Sequence, residues 1–495
     1  MAGNRKVFQN SILYSVSSLM TKAIGFLMLP IYTRLVAAEG YGSITLVTSF
    51  VAVASYVAAL SLYSAILRFY SEYQEDPERL KRFLGTIFTF LPLAGGGFVA
   101  LALLLKDPLT RLVFRGLSFY PLVLIAICLV FFSMLHTAHT TVLQAMQQGR
   151  RLSLVNVTVC LVQVCLTLVL LKVFSLGAAG VLLSQLTVYT LYALYAYWDL
   201  ARRGLIRFGI SLPLLRQSLS YSVPMLPHNL SGNIADLASK LFLNRAATLS
   251  GVGVYGVASQ FGMVIDTIQS AGNQAFMPWY FEELKSGPQR DRAAMALVTK
   301  TLLILYSLLY MAIGLFSQEA IILFLGAGYH EAWRVIPLIV AAFSVKSIYY
   351  FLVNVLMYRP ESARRIFLAT VTGSLSEILL LSFFVPLLGM YGSALSLLLA
   401  KVVTVAIAYA MARKYDELPL PLLEQMQAVL PSLGFLALGL APSYLYFGTG
   451  LHLANFLWKC LVLGLYLVYL WKTVPDLPHQ LRGLLGRLRA GKHRN

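Results

Sequence analysis

The sequence predicts an all-α polytopic membrane protein. It has about fourteen transmembrane helices, set out as two six-helix lobes in a parallel repeat with two more helices after them. Three observations predict this: a composition poor in charge, apolar runs of bilayer length, and landmarks that recur at a near-constant offset. Of the 495 residues, 58% are hydrophobic and only 12% are charged. Mean hydropathy is +0.74. A soluble domain keeps roughly a quarter of its residues charged, because its surface meets water on all sides. A surface facing acyl chains has no such need, so the membrane class follows before any motif is read.

A helix crossing ~30 Å of hydrocarbon needs about 20 apolar residues. The first six candidates run near 10–33, 42–66, 84–105, 117–138, 152–173 and 176–200. Six more run near 218–243, 251–275, 297–317, 333–357, 366–386 and 389–412, and a final pair near 425–447 and 454–472. The eighth is rich in Gly and polar residues and is the weakest signal of the set. The stretch from Met1 to Arg34 reads as a retained first span rather than a secretory signal. Its apolar run is too long, contains Lys22 and lacks a small-x-small cleavage site.

Basic residues orient these spans. With the N-terminus cytoplasmic and sides alternating, twenty-seven of the 39 Lys and Arg fall in cytoplasmic segments. Eight fall on the opposite side, Arg34, Arg245 and Lys459 among them, and four (Lys22, Lys240, Lys346 and Lys401) lie inside spans. This asymmetry predicts an inner-membrane protein with both termini in the cytoplasm. The net charge of +19 then reflects topology and anionic lipid head groups rather than nucleic acid. The basic tail from Pro475 to Asn495 reads as a topology anchor along the inner leaflet. No loop is long enough to fold as a separate catalytic domain.

The repeat appears at a spacing near 212. Gly177 and Gly180 with Ser184 recur as Gly389 and Gly392 with Ser396. Asp107 and Gly116 recur as Glu319 and Gly328, Arg150-Arg151 as Arg364-Arg365, Arg34 as Arg245, and Tyr41-Gly42 as Tyr255-Gly256. Six spans per unit is an even number, so both units enter from the same side. The expected divisions are an N-lobe over 1–205, a C-lobe over 206–415, a helix pair over 416–474 and a tail over 475–495. Transporters built from such halves place substrate between them and expose it alternately to each side.

These landmarks resemble a known family. The run Pro30-Ile-Tyr-Thr-Arg34 through Tyr41-Gly42 is similar to the first-span signature of lipid-linked polysaccharide flippases in the multidrug/oligosaccharidyl-lipid/polysaccharide exporter superfamily. Gly253-Val-Tyr255-Gly256, Phe324 to Tyr329 with Ala332 and Pro337, and Pro386 to Ala394 resemble later motifs of that family in the same order. The resemblance spans roughly residues 8 to 412. It implies export of an undecaprenyl-pyrophosphate-linked oligosaccharide for cell-surface polysaccharide, often with an ion or proton gradient, and no catalytic residues or cofactor. It also implies a neighbouring polysaccharide polymerase or ligase as partner. One position departs: many relatives carry Asp-Arg late in the seventh span, where this chain has Ser239-Lys240, with Asp236 one turn earlier.

Charges within a bilayer are costly and mark functional candidates. Lys22, Arg34, Lys240 and Arg245 would line a cationic cavity able to hold a pyrophosphate, with Arg68 meeting a lipid phosphate at the inner leaflet. Competing readings exist for each. Asp236 and Lys240 form an i,i+4 pair able to neutralise itself. Arg34 and Arg245 stand at helix ends, where dipole pairing or snorkelling also suits a cation. Asp236, Asp266 and Glu377 are candidates for proton or sodium coupling, against plain polar pairing inside the bundle. His136 and His139 have an i,i+3 spacing but no acidic or Cys partner nearby, so no metal site is expected. Cys128, Cys160, Cys165 and Cys460 lie in apolar runs and read as small buried hydrophobes. Two rivals remain. A drug or cation antiporter of the same superfamily would need acids to dominate the cavity. A membrane glycosyltransferase or polymerase would need a large external loop.

Overall fold

The structure is a computed structural model, and it describes residues 17 to 473 apart from 18, 364 and 416. The start of the first predicted span, Arg364 and the basic tail lie outside the described residues. Every regular element within them is helical. Among the described residues, eleven helices are long and apolar enough to cross a membrane. Leu104, Leu379 and Leu445 are among many large apolar side chains left exposed, as a lipid-facing surface requires. Cys165 and Cys460 are exposed too, correcting the expectation that all four cysteines are buried. The chain divides into two compact units, Met1–Gly256 and Val257–Asn495.

In the first unit, residues 19–27 form α1 and Leu29–Leu35 form α2. The turn at Met28 comes just before Pro30, whose missing N–H suits a first helical turn. The second predicted span is not continuous. It is α3 (Ala38–Ala58) and α4 (Leu62–Tyr73), separated by Leu60 and Ser61 with φ of +50° and +54°. Non-glycine residues rarely adopt that conformation, so something must hold it. Asn229 does so, donating to Ser61 Oγ at 2.7 Å and to Ser64 Oγ at 3.0 Å.

Asp76 caps α5 (Pro77–Leu104) by accepting the Arg79 N–H at 3.0 Å. The short α6 (Lys106–Leu112) follows, then α7 (Leu124–Ala145), α8 (Gly149–Lys172) and α9 (Gly177–Arg202). Next is α10, Leu212–Ala246, 35 residues long and helical through both Pro224 and Pro227. α3 is the most enclosed candidate span and packs on α7, α9 and α10. α11 (Leu249–Lys285) begins in the first unit and ends in the second.

In the second unit, Asp291 caps the 33-residue α12 (Arg292–Phe324). After it come α13 (Ile336–Tyr358), the single turn α14 (Pro360–Ala363), α15 (Ile366–Leu388) and α16 (Met390–Ala412). Gly389, at φ +55°, reverses the chain between α15 and α16. α16 packs against both α13 and α15. α17 (Leu422–Pro442) and α18 (Leu453–Thr473) pack on each other and on α12. Outside the spans, Arg359 pairs with Glu417, whose carboxylate holds the guanidinium above its ordinary pKa.

Candidate functional site

Two clusters of charge stand inside the bundle, one in each unit. In the first, Lys240 is buried on α10 and reaches one helical turn back to Asp236 Oδ2, 2.8 Å away. Ser49 on α3 joins them. Its hydroxyl donates to Asp236 Oδ2 at 2.7 Å and also accepts from Lys240 Nζ. The i,i+4 spacing is therefore realised as an ion pair, and it draws in a second helix. Asp236 keeps a side chain 48% exposed, so this pair is not sealed in a dry core.

Lys22 on α1, Arg34 in the last turn of α2 and Arg68 on α4 are exposed. Arg245, in the last turn of α10, is also exposed and donates to the carbonyl of Leu112 at 3.1 Å. The structure thus brings Asp236 and Lys240 together and turns Arg245 onto backbone. Lys240→Met leaves Asp236 without its cation. We expect that variant to lower the level of folded protein in the membrane, and Asp236→Asn/Lys240→Met to recover it. An unchanged level in Lys240→Met would show that the pair does not hold α10 to α3.

In the second unit, Asp266 on α11 accepts from Lys346 Nζ at 2.5 Å and from the Tyr350 hydroxyl at 3.0 Å, both on α13. Glu377 on α15 lies 3.9 Å from Lys401 on α16. Two ion pairs thus link α11 to α13 and α15 to α16. Sequence reading named all four residues as intramembrane charges but did not pair Asp266 with Lys346 or Glu377 with Lys401.

Two further polar clusters were missed or misread. Lys459 was assigned to an external segment. It lies on α18 with its side chain wholly buried, 2.7 Å from both Gln318 Oε1 and Glu319 Oε1 of α12. Its position near the start of an apolar run hid its orientation. His139 is buried between the Tyr192 hydroxyl at 2.7 Å and Asp199 Oδ2 at 3.2 Å. Asp199 also binds Arg151 and Arg203, which ties α8 and α9 together. His136 instead stacks on Tyr189. Among the described residues no group of three or more His, Cys, Asp or Glu gathers in the way a metal ion needs.

Residues 7–283 match the family profile described as polysaccharide biosynthesis protein. The chain belongs to this family. Protein 1 of the Lsg locus of Haemophilus influenzae is 22% identical over 285 residues, which is 57% of this chain and 67% of that protein. Among solved structures, the lipid II flippase MurJ in its inward closed conformation aligns with a TM-score of 0.67 at 16% identity. The alignment covers 94% of this chain and 99% of that one. An inward-facing multidrug resistance MATE transporter of the MOP superfamily aligns with a TM-score of 0.60 at 17% identity, covering 82% and 97%. This member of the polysaccharide biosynthesis protein family therefore shares the all-α fold of these two structures, as a multi-pass membrane protein.

Proposed function

We propose that the protein flips an undecaprenyl-pyrophosphate-linked oligosaccharide from the inner to the outer leaflet of a bacterial inner membrane by alternating access. The product feeds cell-surface polysaccharide synthesis, and a polymerase or ligase receives it. One observation carries this reading: likeness to a lipid II flippase over nearly the whole of both chains, in a member of a polysaccharide biosynthesis family. The finer arrangement is fourteen spans in two lobes with both termini cytoplasmic. α10 and α11, together with the first span, supply the three helices beyond the eleven apolar ones. Their lower apolarity suits walls of a watered path.

Charge at mid-membrane supports transport over a purely structural role, since ions in lipid are too costly to keep without use. The rival drug antiporter is disfavoured because lysines match acids in both clusters. The coupling ion is a proton or sodium, with Asp236, Asp266 and Glu377 as its candidate carriers. Lys22, Lys240, Arg34, Arg245 and Arg68 are the candidate contacts for the anionic head group.

The direct test reconstitutes the purified protein in liposomes with a fluorescent lipid-pyrophosphate-linked oligosaccharide. A membrane-impermeant quencher then reads its leaflet. Flipping above protein-free vesicles is expected, and its absence with a competent substrate sinks the proposal. Lys22→Ala is expected to abolish export while membrane levels of the protein stay unchanged. Full surface glycan in that variant would remove Lys22 from the substrate path.

A further inference from the structure

The tie between α8 and α9 holds more cation than a structural ion pair needs. The Asp199 side chain is 5% exposed, and its Oδ1 takes both Arg151 and the Arg203 Nε, the latter at 3.2 Å. One carboxylate cancels one guanidinium, so a full positive charge is left over at this end of the helix pair. Neither arginine is sealed in, since 26% and 28% of the two side chains stay exposed. A guanidinium offers five N–H donors in a planar fork. Arg151 uses Nη2 for Asp199 and for the Tyr195 hydroxyl. Arg203 uses Nε for Asp199 and Nη1 for Gln148 Oε1, 3.0 Å away. Among the described residues, that leaves Nε and Nη1 of Arg151 and Nη2 of Arg203 open to a further acceptor.

The surroundings match the two parts of a lipid. The Tyr195 ring lies 6.1 Å from that of Trp198, which is 53% exposed. The Arg202 guanidinium stands over the same indole, 5.1 Å from its centre. Trp and Arg at the end of a span belong to the head-group level. Farther from that end, Leu194 of α9 and Leu154 of α8 are 67% and 68% exposed. Leu194 comes nine residues before Arg203, about 13 Å deeper at a rise of ~1.5 Å per residue. Surplus cation thus stands at the interface, with open leucine surface below it where an acyl chain would lie.

We propose that this end of α8 and α9 binds one anionic glycerophospholipid of the inner leaflet. Arg151 and Arg203 hold its phosphodiester, Arg202 and Trp198 form the rim, and an acyl chain runs along Leu194 and Leu154. Asp199 is a positioning residue: it brings the two guanidiniums onto one oxygen and leaves their other donors for the lipid. A phosphodiester carries one negative charge and matches the surplus. A zwitterionic lipid brings its own ammonium, which the arginines repel, and a free phosphate would leave the leucines uncovered. The proposal goes beyond the flippase reading. It rests only on the orientation that puts these helix ends at the cytoplasmic face.

The test is native mass spectrometry of the purified full-length protein in detergent, titrated with phosphatidylglycerol and separately with phosphatidylethanolamine. The wild type is expected to retain one phosphatidylglycerol more tightly than any phosphatidylethanolamine. Arg203→Gln and Arg202→Gln/Trp198→Ala are expected to weaken that lipid roughly fivefold for each arginine removed. The second variant changes only exposed side chains, so its effect does not pass through the Asp199 tie. Arg413→Gln removes the same charge from an exposed position after α16 and is expected to leave binding unchanged. Equal retention of the two lipids, full binding by both variants, or an equal loss in Arg413→Gln would overturn the proposal. Displacement of the lipid by an equal concentration of inorganic phosphate would do the same, by making this a free-anion site. The flipping assay is independent: a protein that flips but fails these titrations loses only this lipid site.

Discussion

Lys459→Met is expected to destabilise the protein by about 3–5 kcal/mol, the usual cost of breaking a buried ion pair from one side. The Lys459 Nζ is the cation facing Glu319 Oε1 at 2.7 Å, and the same group satisfies Gln318 Oε1 at 2.7 Å. The second Glu319 oxygen is already buried without a hydrogen-bond partner. Removing the ammonium leaves a carboxylate at the α12–α18 contact with no counter-charge. Gln318 also donates to the carbonyl of Gly448, and its side-chain oxygen accepts from Asn455, so the loss spreads into the α17–α18 connection. Lys459→Met/Glu319→Gln removes both charges and is expected to recover most of the loss. Thermal unfolding in detergent, followed by size-exclusion fluorescence, reads the effect. A single variant melting with the wild type would show that the pair does not hold α18.

Such residues show what the sequence can and cannot convey. Apolar runs of bilayer length are a local signal, and the eleven apolar helices lie where those runs predict. The Asp236–Lys240 contact was also legible, because an i,i+4 spacing on one helix sets the distance by itself. The Asp266–Lys346 contact was not, since eighty residues separate the partners and only tertiary packing joins them. Lys459 was misplaced for a related reason. Hydropathy says how deep a residue can lie but not which face of the helix it occupies. The break between α3 and α4 left no local mark at all. Neither Leu60 nor Ser61 favours a left-handed backbone, and the side chain that bonds Ser61 comes from Asn229 on another helix. α10 and α11 cover two of the expected spans, and their polar content keeps them below the apolar level of the eleven. Their Ser, Asn, Gln and Asp side chains serve contacts within the protein rather than lipid.

Gly42→Ala is expected to cost on the order of 3 kcal/mol, at the upper end for an overpacked contact, because the added methyl would strike backbone. A Cβ on Gly42 would lie 1.8 Å from the Leu249 carbonyl oxygen, and one on Gly253 would lie 2.0 Å from the Ala38 carbonyl oxygen. α3 and the start of α11 therefore touch backbone to backbone, as small residues permit where helices cross in a membrane. Neither helix can yield without losing the rest of its packing. Gly256 differs: its Cβ would meet the Thr45 methyl at 2.7 Å, which a side-chain rotation can relieve. Gly25 has nothing within 4 Å and serves as the control. The expected order of thermal stability is thus Gly25→Ala near wild type, Gly256→Ala lower, and Gly42→Ala and Gly253→Ala lowest. The ranking matters more than any single value, because helix propensity alone would make all four substitutions stabilising. If Gly42→Ala melts at or above the wild type, the close crossing of α3 and α11 is wrong, and Tyr41-Gly42 and Tyr255-Gly256 lose the packing role that explains why glycine stands in both.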